Sequence, residues 1–198
     1  MPGDIDDKSK EDILLWNQFR EGDENAFARL YDIFSDMLYR YGMKFMENED
    51  SVKDCIQELF IKLYSNRQSL SATDNPRLYL FKALKNRLID EIRADKHLVY
   101  VSPQDLHFSV EYYYDPEEES QEDSDVKVQF EKVISLLTDR QKEVIYLRYQ
   151  MEMSYEDIAE LLNINYQSVR NLIHRAIEKV RSEMDWKFFL LLLLNCAK

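Results

Sequence analysis

Apolar residues recur every three to four positions over 13–19, 26–45, 51–64 and 76–94, and again over 126–137, 139–150, 154–162 and 166–183. That spacing predicts amphipathic helices. Pro76, preceded by Asp74 and Asn75, suits the first turn of the fourth helix. Between the two sets, residues 99–126 carry Pro103 and Pro116 and no apolar repeat, which predicts an extended linker. The expected fold is all-α, with two small helical domains at 10–98 and 127–184. A flexible linker joins them over 99–126, and an apolar tail follows over 185–198.

Composition narrows the class further. Of 198 residues, 45% are hydrophobic and 13% aromatic, which fits a soluble globular chain of one or two domains. Three glycines and four prolines are too few for the turns of a sandwich or barrel, or for a phosphate-cradling loop. Cys55 and Cys196, in a chain with no N-terminal signal pattern, point to a reducing cytoplasm. The apolar run 188–194 is too short to span a bilayer, so no membrane insertion is expected.

The formal charge of −12 weighs against nucleic acid until its distribution is considered. Residues 103–125 hold nine acidic side chains and no Lys or Arg, which leaves −3 for the rest of the chain. Within that remainder, Arg77, Lys82, Lys85, Arg87, Arg93 and Lys96 outnumber Asp90, Glu91 and Asp95. A second basic island at 163–181 sets Arg170, Arg175, Lys179 and Arg181 against Glu178 alone.

The sharpest local pattern lies in this second island. Ser154 is a good N-cap with Asp157 three residues on, Asn163 tolerates the left-handed conformation that ends a helix, and Asn165 can cap the next one. Helix, tight turn and helix make a helix-turn-helix. On a helical wheel, Val169, Leu172, Ile173, Ala176, Ile177 and Val180 share one face. Tyr166 opens the helix, and Gln167, Ser168, Arg170, Asn171, His174 and Arg175 fall on the opposite arc. These residue types read base edges and phosphates in a major groove, although ordinary amphipathic surface helices carry similar faces.

In the first domain, Lys82, Lys85, Asn86 and Arg93 cluster beside Tyr79, and Tyr64 ends the preceding helix. Cations interleaved with rings suit unstacked single strands, while both tyrosines also fit partly buried core positions. The helix over 51–64 places Asp54, Gln57 and Glu58 on its outer face with Ile61 among them, a feature a protein partner would cover. Enzymatic readings find little support. His97, His107 and His174 are far apart, and no Walker loop, nucleophile elbow or zinc-ligand cluster is present, so no metal, cofactor or small-molecule substrate is expected.

Taken in order, Gly22-Asp23, Ala26-Phe27, Leu30-Tyr31, Asp54 to Phe60, Pro76 to Leu80 with Asn86, Asp90 and Arg93, Leu136-Leu137, Arg140 to Val144, Tyr155 to Glu160 and Ser168 to Arg170 resemble the extracytoplasmic-function (ECF) group of bacterial RNA polymerase sigma factors. The resemblance covers nearly all of residues 13–182. The family's Trp-Leu pair stands here as Tyr79-Leu80, its Leu-Pro as Leu137-Thr138, and its turn glycine as Asn163. It implies a cytoplasmic, non-enzymatic initiation factor. By it, Asp54, Gln57, Glu58 and Ile61 would dock on core RNA polymerase, and Tyr64, Tyr79, Lys82, Lys85, Asn86 and Arg93 would meet the melted minus-ten element. Tyr166, Gln167, Ser168, Arg170, Asn171, His174 and Arg175 would lie in the major groove of the minus-thirty-five element. An anti-sigma factor is a further expected partner, and the acidic linker could mimic nucleic acid inside a positively charged polymerase channel. The alternatives are a helix-turn-helix regulator acting without polymerase, for which the second domain alone would suffice, and a helical adaptor whose basic faces are merely solvated. The apolar tail requires a cover, either the second domain itself or a partner.

Overall fold

The computed structural model describes residues 3–95, 106–111 and 121–195, and the chain divides into two compact units, 1–103 and 104–198. Among the described residues there is no strand. The first unit comprises α1 (Gly3–Arg20), α2 (Glu24–Gly42), α3 (Glu49–Ser65) and α4 (Pro76–Asp95). Gly22, at φ +105°, makes the turn out of α1 that a side chain would strain. Asp23 then caps α2, accepting from the backbone N–H groups of Asn25 at 2.8 Å and Ala26 at 3.2 Å. At the other end of α2, a Cβ on Gly42 would meet Val52 Cγ1 at 2.6 Å, so this glycine lets α2 and α3 approach.

Packing follows the apolar stripes. Trp16 and Phe19 of α1, Leu30, Phe34, Leu38 and Tyr41 of α2, Phe60 of α3, and Phe81 and Leu84 of α4 are buried together in the first unit's core. Two polar contacts fasten α1 to the loop before α4: the Trp16 indole N–H donates to Ser71 O at 3.2 Å, and Arg20 Nε donates to Leu70 O at 2.7 Å. The entry into α4 is thereby held against α1, and Asn75 caps it by accepting from Leu78 N–H at 2.9 Å.

The second unit contains α5 (Gln121–Leu136), α6 (Asp139–Ile145), α7 (Tyr155–Leu161), α8 (Tyr166–Arg181) and α9 (Trp186–Asn195). Three caps frame it. Thr138 and Gln141 form a reciprocal capping box at α6, Ser154 and Asp157 form another at α7, and Asn165 accepts from Ser168 N–H at 2.7 Å to start α8. Asn163 stands at φ +50°. Ile164 N–H reaches Ala159 O at 2.9 Å and Asn163 N–H reaches Glu160 O at 3.3 Å, the Schellman arrangement that ends α7. The helix expected over 139–150 instead changes pitch, because Tyr146–Gln150 forms a π turn with Met151 N–H on Tyr146 O at 3.1 Å.

The linker expected over 99–126 is corrected in two places. Helix α5 already begins at Gln121. Residues 106–111 belong to the second unit, where Leu106, Phe108 and Val110 are buried and alternate with exposed or half-buried His107, Ser109 and Glu111. This period of two is the signature of an extended segment with one buried face. The Phe108 ring meets Tyr146 edge-on at 5.5 Å, the Phe108 N–H donates to the Asp139 carboxylate, and His107 Nδ1 lies 3.4 Å from Asp139 Oδ2. Burying three such side chains stabilises by roughly 5–8 kcal/mol, and ordering six residues costs a comparable amount. Docking of this segment is therefore close to balance. Most of the linker's acidic residues lie outside the described ones.

The tail expected to need a cover finds one in its own unit for half of its surface. In α9, Phe189, Leu192 and Leu193 are buried, while Phe188, Leu191 and Leu194 are exposed. Phe189 stacks on Phe130 of α5 at 5.5 Å, and Trp186 meets Tyr149 edge-on at 5.3 Å.

Candidate nucleic-acid interface

Helix α8 divides as its sequence predicts. Val169, Ile173, Ala176 and Val180 are buried, and Tyr166, Gln167, Arg170, Asn171, His174 and Arg175 are exposed, with Ser168 half-buried beside its capping bond. Gln167 Nε2 donates to Asn171 Oδ1 at 3.1 Å, which aligns two side-chain amides one turn apart. His174 Nδ1 faces Glu178 at 3.3 Å. Among the described residues neither Arg170 nor Arg175 is held in an ion pair, so both guanidiniums remain available to an anion. The helix is held firmly beneath this face. Arg140 donates to Leu162 O at 2.7 Å, tying α6 to the end of α7, and Lys179 Nζ donates to Leu136 O at 2.7 Å and Gln141 Oε1 at 3.0 Å.

Two residues beside this face were not among the DNA contacts expected from the sequence. Tyr155 meets Tyr166 edge-on at 5.8 Å, and the Arg148 guanidinium lies 5.1 Å from the Tyr155 ring centre while donating to Met153 O at 2.7 Å. Arg148 sits in the π turn, where a plain 3.6-residue wheel does not place it correctly.

In the first unit, Tyr79 is 41% exposed and rests edge-on against Trp16 at 5.0 Å. It shares a cleft of about 280 Å³ between α3 and α4 with Lys62, Asn66, Asn86, Arg87 and Asp90. Tyr79 and Asn86 are thus brought together as expected, with Lys62 and Asn66 added from α3 and its end. Tyr64 is half-buried: its ring meets Phe27 at 5.1 Å, its hydroxyl donates to Glu24 Oε1 at 3.2 Å, and the Arg67 guanidinium lies 4.8 Å from its centre. Lys82 and Arg93 are half-buried, and Arg93 pairs with Asp90 at 3.4 Å.

Lys85 requires correction. It is only 5% exposed, with its ammonium 5.4 Å from the Phe45 ring centre. One turn from Phe81 and Leu88, it stands at the edge of the apolar stripe, and its stem is drawn into the core. It presents no charge to a nucleic acid.

The outer face of α3 keeps Asp54, Gln57 and Ile61 exposed, Ile61 at 55%. Glu58 is different, because Arg87 of α4 lies 3.0 Å from its carboxylate and also pairs with Glu91 at 3.1 Å. Glu58 therefore ties α3 to α4. Nearby, burial pushes the Cys55 thiol above its usual range, as expected of a small core residue. Among the described residues no group of His, Cys, Asp and Glu could hold a metal ion, and no helix is long and apolar enough to cross a membrane.

Comparison with known proteins matches both units. The family model for sigma-70 region 2 covers residues 30–97, and that for sigma-70 region 4 covers residues 127–180. ECF RNA polymerase sigma factor SigW of Bacillus subtilis is 29% identical over 174 residues, 84% of this chain and 93% of the relative. SigK of Mycobacterium ulcerans is 22% identical over 93% of this chain and 97% of its own length. Among solved structures, CnrH in complex with the cytosolic domain of CnrY aligns with a TM-score of 0.58 at 22% identity over 87% of this chain and 96% of that one. The sigma factor RpoE of Bartonella quintana, in complex with the anti-sigma factor NepR, aligns at 0.54 with 19% identity, covering 79% and 94%. With both family regions matched in order on an all-helical fold, and ECF relatives spanning most of its length, the chain belongs to the sigma-70 family as an ECF sigma factor.

Proposed function

We propose that this sigma factor divides promoter recognition between its two units. The first docks on core RNA polymerase through Asp54, Gln57 and Ile61 and receives the melted minus-ten element around Tyr79, Asn86, Lys82 and Arg93. The second lays α8 in the major groove of the minus-thirty-five element, with Arg170, Asn171 and Arg175 as its principal contacts and Gln167, Ser168, His174 and Tyr166 beside them. The observation that carries this reading is the sharp division of α8, whose buried apolar face holds exposed donors and acceptors of the kinds that read base edges. Arg148 and Tyr155 extend that surface towards the DNA backbone.

Sigma factors are typically non-enzymatic, and this chain needs no catalytic group for the task. It acts in the cytoplasm, where core polymerase and chromosomal DNA are found. Both related structures are complexes, one of them with an anti-sigma factor, and an anti-sigma factor covering the polymerase- and DNA-facing surfaces is the form of control that fits this chain. Incubation of the purified protein with core polymerase, followed by size-exclusion chromatography, tests the first half of the reading: co-elution is expected, and Asp54→Lys with Ile61→Asp should abolish it. Co-elution of that variant at wild-type level would remove the α3 face from docking.

A further inference from the structure

Helix α9 lies beyond residues 127–180, which the region 4 family model matches, yet it grips the part of the second unit that borders the DNA-facing surface. Its own anchor is firm: Phe189 is fully buried and stacks on Phe130 of α5 and on Trp186, each at 5.5 Å. From that base, two contacts reach consecutive residues of the π turn. Trp186 meets Tyr149 edge-on at 5.3 Å. Gln150 Nε2 donates to Leu193 O, one of the carbonyls that a helix end leaves without an internal partner.

The residue just before these two is Arg148, and its contacts are with the approach to α7. The guanidinium donates to Met153 O at 2.7 Å and lies 5.1 Å from the Tyr155 ring centre, and that ring meets Tyr166 at the start of α8 at 5.8 Å. The intervening backbone is held in two uncommon conformations. Tyr146–Gln150 is a π turn, a rare form that needs support from outside itself. Glu152 stands at φ +51°, where a residue with a side chain persists only if its surroundings impose it. Helix α9 supplies such support at Tyr149 and Gln150. Without it the segment is free to relax towards an ordinary α turn, whose tighter winding rotates residue 148 about the helix axis.

We propose that α9 is a buttress for DNA binding. By holding Tyr149 and Gln150 it fixes the π turn that presents Arg148, with Tyr155, to the phosphate backbone beside the upstream element. Trp186 and Gln150 are thus positioning residues for a contact that neither makes itself. This rests on the reading of Arg148 and Tyr155 given above. A guanidinium meets phosphate oxygens through directional, charge-assisted hydrogen bonds, so its placement matters as well as its charge. One nitrogen of Arg148 is committed to Met153 O, and its other N–H groups serve the phosphate. That contact is blind to sequence, and base selection stays with α8.

The test titrates holoenzyme, assembled from the full chain and core polymerase, onto a promoter duplex over a series of salt concentrations. Arg148→Gln should reduce the slope of log affinity against log salt by roughly 0.9, the share of one phosphate. A variant carrying Gln150→Ala and Trp186→Ala should show the same reduction while it keeps its helical circular dichroism and its co-elution with polymerase. Adding Arg148→Gln to that variant should reduce the slope no further, because both changes remove one contact. Trp186→Phe in place of Trp186→Ala restores a ring against Tyr149 and should recover part of the slope. Destabilisation alone lowers the amount of competent protein and leaves the slope in place. A wild-type slope in the folded paired variant would therefore overturn the buttress, as would a second reduction of full size on adding Arg148→Gln. Should the paired variant fail to fold, Gln150→Ala alone leaves every buried ring in place and must reduce the slope in the same direction; a wild-type slope there overturns the buttress equally. A wild-type slope for Arg148→Gln would instead overturn the backbone contact on which the buttress rests.

Discussion

Arg87 on α4 lies 3.0 Å from the Glu58 carboxylate on α3, so one of the four residues that sequence reasoning assigned to a protein-docking face is engaged in holding two helices together. Its neighbours Asp54 and Gln57, on the same helix, remain exposed. The two roles separate by mutation. Glu58→Lys sets two cations side by side and should cost about 1 kcal/mol, a figure kept small because both partners are partly exposed. Asp54→Lys should leave stability unchanged and weaken association with core polymerase. Urea unfolding followed by circular dichroism, set beside co-elution, distinguishes them; equal stability of the two variants would remove the tie.

Asn163 provides a conformational test. At φ +50° it occupies a backbone region that β-branched residues avoid. Asn163→Val should destabilise the second unit by about 1–2 kcal/mol, and Asn163→Gly should be neutral or slightly stabilising. Thermal unfolding of the full chain checks the order. A valine variant as stable as wild type would mean that the turn between α7 and α8 is not held as described.

The Thr138 capping box offers a smaller effect of known size. Thr138→Ala removes the acceptor for Gln141 N–H at 3.3 Å and should cost about 1 kcal/mol. Thr138→Ser should restore most of it, and a serine variant no better than alanine would show that the hydroxyl does not contribute.

Deleting residues 186–198 removes Phe189, Leu192 and Leu193 from the core of the second unit, and each contributes roughly 1.5–3 kcal/mol when buried. The melting temperature of that unit should fall by about 20 °C or more. An unchanged value would mean that α9 does not pack on its own unit in solution.

The helical elements were legible because their signals are local and redundant. Ser154 with Asp157, Asn163 and Asn165 mark helix ends through their own hydrogen bonds, and the α8 wheel separates into two faces without help from the rest of the fold. What the sequence concealed depends on tertiary context. The alternation of Leu106, Phe108 and Val110 is only six residues long and is flanked by acidic residues, so it carries no meaning until Tyr146 and Asp139 are beside it. Lys85 lies at the border of an apolar stripe, and whether such a residue turns outward depends on a ring supplied by Phe45 from another element. Arg148 is displaced by the π turn, which no periodicity announces.

Charge makes a prediction of its own. With a net −12, the isolated protein should bind duplex DNA weakly at physiological salt, since long-range repulsion opposes the local basic faces until polymerase supplies most phosphate contacts. Fluorescence anisotropy with a promoter duplex, with and without core polymerase, measures this directly. Tight sequence-specific binding by the chain alone would favour a regulator that works without polymerase.

Promoter-directed transcription in vitro, with purified core polymerase and either the wild-type chain or a variant carrying Arg170→Ala, Asn171→Ala and Arg175→Ala, reaches furthest into the mechanism. The wild type should initiate from promoters bearing both elements. Each substitution should cost on the order of 1–3 kcal/mol where a base is read, so the triple variant should lose at least a hundredfold while still co-eluting with polymerase. Undiminished transcription by the triple variant would contradict promoter reading by α8.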